Sequence, residues 1–525
     1  MQLRSLIACG GLVAGGLAAL PGTAAHAATT RYEAETSPAV CTGTIDSNHS
    51  GYSGSGFCNA TNRAGAYAQL TVNAPAAGSA TLRVRFANGT SAARAADVAV
   101  NGAAVPAVSF EGTASWDAWA TKTITVPVNA GANTVRFTPT GAEGLPNIDY
   151  VEADTGDTPP PTGGDTLYVA PGGSDGASGT QADPTTLTSA IGRVAPGGTI
   201  YLRGGTYRYS QTVAIPQGRN GTQGDRTELF AYPGETPVLN FAAMSEDPAN
   251  RGLAVNGSYW HVRGVVVEHA GDNGIFVGGS GNVIERAVTR FNRDSGLQIS
   301  RVASDTPRDQ WPSGNLVVSS ESHDNADSDG EDADGFAAKL TIGSGNVFRY
   351  DVSHNNIDDG WDLYTKSETG AIGPVTIEDS LSYGNGTLSN GGQAGNGDRN
   401  GYKLGGEDIA VKHVVRRSIA YGNGHHGFTY NRNPGPMTVS DNVSVDNEER
   451  NFSFDAGTSV FRNDTSCRFA VDGSNDKVVG DADGSDQFWS GSNGSRCSSY
   501  AGALGWSFAP DGRLVVTFGG RAQTP

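Results

Sequence analysis

One short phrase keeps returning through the later two-thirds of this chain. It reads "DNGIFVG" at Gly274, "DSGLQIS" at Gly296, "ADGFAAKL" at Gly335, "DDGWDLY" at Gly360, "RNGYKLG" at Gly401 and "HHGFTYN" at Gly427. The steps are 22 to 26 residues, or near 40 where a segment is inserted. A strand-like phrase such as "NVIERAVTRFN" or "NVFRYDVSHNN" runs ahead of each glycine. An asparagine often stands four residues before it, as at Asn292, Asn356 and Asn423. A repeat of this length is one supersecondary unit that buries its apolar face only against its neighbours. It predicts an all-β solenoid, a parallel β-helix with one coil per repeat and an asparagine ladder at one bend. A propeller blade would need nearly twice the period.

Side chains alternate between the two faces of a strand. The first residue after the aligned glycine is Leu297, Phe336, Trp361, Tyr402 or Phe428, and the third is Ile299, Ala338, Leu363, Leu404 or Tyr430. These columns are apolar and face the core. The second residue, Gln298, Ala337, Asp362, Lys403 or Thr429, then faces outward. Asp334 and Asp359 precede their glycines at matching positions, with Asp358 beside Asp359. With 386–399 read as an inserted loop, the Gly360 and Gly401 coils are adjacent. Coils stack about 4.8 Å apart, so Asp334, Asp358, Asp359 and Asp362 converge on one patch with Lys403 at its border.

Bare carboxylates that close raise one another's pKa. Ca²⁺ removes the repulsion, because it takes about six to eight oxygens in irregular geometry, whereas Mg²⁺ prefers few carboxylates and many waters. No histidine belongs to the set, which argues against zinc. The plainer alternative is a solvated acidic bend. Lys403 has two readings on the residues alone: a salt-bridge partner of Asp362, or a base whose pKa answers to burial and a nearby cation.

Residues 154–165, "DTGDTPPPTGGD", form a Pro/Thr/Gly spacer between a part at 28–153 and a part at 166–525. The first part carries alternating segments such as "ATLRVRFAN", "TKTITVPV" and "NTVRFTP", about ten residues apart. They predict an antiparallel β-sandwich of jelly-roll type. Residues 1–27 have a basic start at Arg4, a short apolar run and the small-x-small site Ala25-His26-Ala27, the pattern of a secretory signal, so an extracellular, secreted protein is expected. No other stretch is long and apolar enough to span a bilayer. Cys9 leaves with the signal. The four remaining cysteines form two distant pairs, so disulfides Cys41–Cys58 and Cys467–Cys497 are expected. The net charge of -18 argues against nucleic acid or an anionic membrane as partner. It admits an anionic substrate if a metal cation intervenes. "GGSDG" at 172–176 fits a serine-nucleophile pattern, but no helix signal follows it, so it reads as a turn. A monomer is expected.

"DADGFAAKLTIGSGNVF", "NNIDDGWDLYTKSETGAIGPVTIEDS" and "NGYKLGG" resemble pectate lyases of polysaccharide lyase family 9, over roughly residues 165 to 525. The resemblance implies a right-handed parallel β-helix, a Ca²⁺ held by Asp334, Asp358, Asp359 and Asp362, and Lys403 as the residue that abstracts the proton. "RYEAE", "GYSGSGF", "SWDAW" and "NIDYVE" resemble carbohydrate-binding module family 35, more weakly. That likeness implies a structural Ca²⁺ near Glu33, Glu35 and Asp149, and a sugar site with Tyr52, Trp116 and Asn147 as candidates. Modules of this type often recognise uronic acids.

The implied reaction is β-elimination on polygalacturonate, with Ca²⁺ bridging the acidic patch and a sugar carboxylate. Lys339, Lys366 and Arg432 are then candidate contacts to further uronate carboxylates. Alternatives are an exo-acting or rhamnogalacturonan lyase, a glycoside hydrolase using paired carboxylates, which leaves Lys403 unexplained, and a non-catalytic pectin-binding adhesin.

Overall fold

The computed structural model describes residues 30–523 apart from 64, 75–77, 130, 155–165, 394 and 471. The expected signal at 1–27 and the spacer beyond Asp154 lie outside the described residues. The described residues form two compact units, one ending at residue 154 and the other starting at residue 166.

The first unit is a sandwich of two antiparallel sheets. Its strands alternate as half-buried strands do: in Arg94–Val100 every second side chain is buried, and Leu82, Val84, Phe86, Phe110 and Phe137 meet in the core. Cys41 and Cys58 are joined and lie on strands of different sheets, so the bridge staples the sandwich. Thr30–Glu33 pairs antiparallel with Asn147–Asp154 and sets Glu33 opposite Tyr150, one residue from Asp149.

In the second unit successive coils contribute short strands to three parallel sheets of 11, 10 and 10 strands. The predicted columns are in register: Leu297, Phe336, Trp361, Tyr402, Phe428 and Phe452 pair in sequence. Their rings stack inside the solenoid from Phe336 onward at centroid separations of 5.0, 4.8, 4.6 and 5.1 Å, close to the strand spacing that imposes the repeat. The asparagine ladder is longer than the three residues the sequence singles out. Asn292, Asn325, Asn356, Asn385, Asn423 and Asn447 hand hydrogen bonds from amide to amide at 2.8 to 3.0 Å. The aligned glycine is demanded by this interior: a Cβ on Gly335 would lie 1.9 Å from Ser353 Oγ, and one on Gly360 2.1 Å from Ser382 Oγ.

Both ends of the described solenoid carry further structure. The helix Leu187–Arg193, capped by Thr186, buries Leu187, Ala190 and Ile191 in the core at the N-terminal end. Near the C-terminus, Cys467 and Cys497 are joined and share a cluster with Val352, Leu381, Val516 and Phe518. Among the described residues, no helix is long and apolar enough to cross a membrane.

Candidate functional site

Trp361 and Tyr402 point inward on adjacent coils, so Asp362 and Lys403 point outward as a register pair. Outward does not mean exposed. Asp362 and Lys403 keep 3% and 7% of their surface, and Asp334, Asp358 and Asp359 are buried as well. The end of the inserted segment, Asp398 and Arg399, and the Asn400 that follows it fold over them. The backbone amides of Asp398 and Arg399 donate to Asp358 Oδ1, the latter at 3.2 Å. Asn400 donates to Asp359 Oδ1 from its backbone N at 2.6 Å and its Nδ2 at 2.9 Å.

Lys403 therefore sits within the patch and not at its border. Its Nζ is 3.1 Å from Asp359 Oδ2, 2.8 Å from Asp398 Oδ2 and 4.0 Å from Asp362 Oδ2. Lys339, expected as a contact to a further uronate carboxylate, is drawn into the same cluster, 2.7 Å from Asp334 Oδ2 and 3.2 Å from Asp362 Oδ2. Lys366 is exposed and lines the same cavity of about 260 Å³, together with Asp362, Tyr364, Lys339 and Lys403. Arg432 lies elsewhere. It pairs with Asp408 on the surface and borders a neighbouring hollow with His425 and Asn431.

The electrostatics follow from burial. Burial, Asp359 and Asp334 push the Asp358 carboxyl well above its usual range. Burial does the same to Asp334, against the opposing pull of Lys339. Asp359 is pushed up to about 6, chiefly by burial, with Lys403 pulling it down. Burial would depress the Lys403 ammonium, but Asp359, Asp362, Asp358 and Asp398 together hold it above its ordinary value. Each group is costly to bury charged without a partner.

One carboxylate oxygen from each of Asp334, Asp358 and Asp359 lies within 4.8 Å of the other two. Asp334 Oδ1 and Asp362 Oδ1 are buried without a hydrogen-bond partner. Enclosed hard oxygens, two of them unsatisfied, fit a Ca²⁺ ion. Asp362 adjoins this trio through the lysines.

In the sandwich, the loop around Gly54 gathers Glu33, Glu35 and Asp149. Ser53 N donates to both Asp149 oxygens at 3.0 and 3.1 Å, Ser53 Oγ to Glu33 Oε1 at 2.8 Å, and Ser55 N to Glu35 Oε1 at 2.9 Å. Gly54 has φ +65°, and a Cβ there would strike Glu35 Oε1 at 2.0 Å. Glu33 Oε2 and Glu35 Oε2 are buried without partners. Burial is the main cause that raises Asp149 to about 6, with Glu33 and Glu35 adding to it. The set suits a cation, although these oxygens are not drawn as close as the aspartate trio, and Arg85 Nε already stands 3.1 Å from Asp149. Of the candidate sugar contacts, Asn147 is buried, Tyr52 meets the edge of Phe57 at 5.7 Å, and Trp116 stacks on His49 at 6.2 Å under Arg94. Trp119, from the same "SWDAW" phrase but not singled out by the sequence reading, also stands edge-on to Phe57 at 5.3 Å.

Asp398 and Asn400 escaped the sequence reading. Asp398 lies in the insert, where no repeat register applies, and Asn400 precedes its glycine at the place that holds Asp334 and Asp359 on earlier coils, a signal that was there to read.

The family profile described as "Pel9A-like, right handed beta helix region" matches residues 167–464, and that of "Carbohydrate binding module (family 6)" matches 33–154. "Pectate lyase L" of Paenibacillus polymyxa (strain SC2) is 51% identical over 325 residues, which are 62% of this chain and 72% of that one. The solved "Crystal structure of pectate lyase Pel9A" is 31% identical, covers 66% of this chain and 86% of that chain, and superposes with a TM-score of 0.56. "CBM35 from Cellvibrio japonicus Abf62" is 38% identical over 25% of this chain and 94% of that chain, with a TM-score of 0.24. The chain belongs to the Pel9A-like right-handed β-helix family.

Proposed function

We propose that this polysaccharide lyase is a secreted, calcium-dependent pectate lyase that cleaves polygalacturonate by β-elimination, with Lys403 as the base. The observation that carries the reading is the convergence of Lys403 Nζ with Asp359, Asp362 and Asp398, where Lys403, Asp362 and Asp398 line one cavity. A Ca²⁺ ion held by Asp334, Asp358, Asp359 and Asp362 would draw electron density from a substrate uronate and so acidify its C5 proton.

The neutral amine of Lys403 takes that proton. The C4–O bond then breaks as a C4–C5 double bond forms, the leaving glycosidic oxygen takes a proton from solvent, Lys403 later returns its proton to solvent, and no water is consumed. The ammonium so formed is received by the carboxylates of Asp359 and Asp398, already within 3.1 and 2.8 Å. Lys366 lines the same cavity and would pair with a uronate carboxylate, which favours the free acid, while Lys339 stays with Asp334 and Asp362. Arg432, turned toward Asp408, would serve a more distant sugar. In the sandwich module, Glu33, Glu35 and Asp149 would hold a structural Ca²⁺, and a site to which Tyr52, Trp116 and Asn147 contribute would bind a uronate-containing polysaccharide.

The test is to incubate the chain with polygalacturonate, with and without Ca²⁺, and follow absorbance of the unsaturated ends while products are resolved by length. Shortening without unsaturated ends would mean hydrolysis. Binding without shortening would mean an adhesin.

A further inference from the structure

Two coils beyond the one that carries Asp358 and Asp359 ahead of Gly360, the same turn carries His425 and His426 ahead of Gly427. We propose that His425, His426 and Glu449 form a separate site for a divalent transition-metal ion of the zinc, cobalt or nickel kind. Their donor atoms all lie within 4.8 Å of one another. The two imidazoles stack with centroids 3.9 Å apart. Glu449 reaches in from the next coil, with Oε1 taken by Arg450 and Oε2 facing His425 Nε2 at 2.9 Å.

Two further features point to a ligand. His425 Nδ1 lies 3.1 Å from the backbone oxygen of Asp398. A ring N–H donating to a carbonyl is the usual brace that turns the other nitrogen's lone pair toward a metal. His426 is 9% exposed, borders the same hollow of about 200 Å³, and its enclosed Nδ1 has no hydrogen-bond partner. A buried polar atom left unmatched is costly and calls for an explanation. Two imidazoles and one carboxylate suit zinc-like ions and disfavour Ca²⁺, which takes oxygen donors. Three protein donors leave a position open toward the hollow. The competing arrangement is a bare His425–Glu449 ion pair that binds nothing.

The site adjoins the cleft through Asp398, whose carbonyl meets His425 while its carboxylate meets Lys403 at 2.8 Å. A loaded site would fasten the end of the insert to the coil beyond it.

The test titrates the Ca²⁺-saturated full chain with Co²⁺ and follows the visible absorption of the bound ion. One saturable event is expected. It should weaken roughly tenfold or more in both His425→Gln and Glu449→Gln and persist in Asp359→Asn. His425 and Glu449 keep 37% and 38% of their side-chain surface, so these substitutions spare the core, and thermal melts check that the variants fold. No spectral change in the parent chain would overturn the proposal. So would unchanged affinity in either His425→Gln or Glu449→Gln, or loss of the signal in Asp359→Asn.

Discussion

The Asp398 carboxylate lies 2.8 Å from Lys403 Nζ, although Asp398 belongs to an inserted segment and Lys403 to a strand of the solenoid. As a base, Lys403 acts only when neutral, and Asp398 is one of the groups that hold its ammonium above the ordinary value. Activity should therefore rise toward alkaline pH. Asp398→Asn removes one of these raising neighbours, so the neutral amine becomes available at lower pH. The pH–rate profile of that variant should move toward acid, and an unmoved profile would leave Asp398 without a part in tuning the base.

Removing the amine is the harsher test. Lys403→Ala should lower kcat on polygalacturonate by roughly 10² to 10⁴-fold, the usual contribution of a positioned base, with a much smaller change in KM. The initial rate of unsaturated-end formation at saturating Ca²⁺ measures it. A wild-type rate would end the assignment.

Binding to the folded chain alone stabilises it by mass action, about 2.7 kcal/mol at 100 times Kd. Chelation should abolish activity and lower Tm by several degrees, and added Ca²⁺ should restore both. Asp359→Asn should weaken the calcium-dependent rise in Tm. It leaves the amide contact from Asn400 to position 359 possible but removes one buried charge from the oxygen cage. A Tm indifferent to Ca²⁺ in the parent chain would speak against a bound ion at the aspartates.

The coil register was legible in the sequence because period-two alternation and a fixed repeat leave little choice once the glycines are aligned. Asp362 opposite Lys403 follows from that register alone. Burial of the same residues does not. It comes from Asp398 and Arg399, followed by Asn400, folding back over Asp358 and Asp359, and the first two belong to an insert that has no phase to read. The position of Lys339 is illegible in the sequence for a related reason. It follows the strand Phe336–Ala338, where alternation stops predicting direction, and the charge of Asp334 and Asp362 decides where its Nζ goes.

The asparagine ladder is a stability element with a measurable cost. Asn356 Nδ2 donates to Asn385 Oδ1 and Ser353 Oγ, both at 3.0 Å, while its Oδ1 accepts from Asn325 Nδ2 at 2.8 Å. Asn356→Ala would leave several of these fully buried groups unmatched. A loss of about 3 kcal/mol is expected, read from the denaturant midpoint at constant slope. A loss within error would mean that neighbouring coils repair the gap.

A second ladder predicts how the fold responds to acid. At the entrance to another sheet, Asn282 N donates to Asn315 Oδ1 at 2.9 Å and Asn315 N to Asn346 Oδ1 at 3.1 Å. Two coils on, His413 fills the equivalent place, and its Nδ1 accepts from Val375 N at 3.1 Å. His413 is fully buried, and burial lowers its pKa to about 3. Above pH about 6.5, the ordinary histidine value, the ring is neutral in both folded and unfolded chain and pH has no grip on it. Below that, the unfolded chain binds a proton that the folded chain refuses, so stability falls with acid until about pH 3. His413→Asn puts the amide of the earlier rungs in its place, able to accept from Val375 N without titrating. The variant should lose stability less steeply than the parent between pH 6 and 4, by up to about 1.4 kcal/mol per pH unit, as read from urea melts at each pH. Equal slopes in the two chains would show that His413 takes up its proton in the folded state as readily as in the unfolded one.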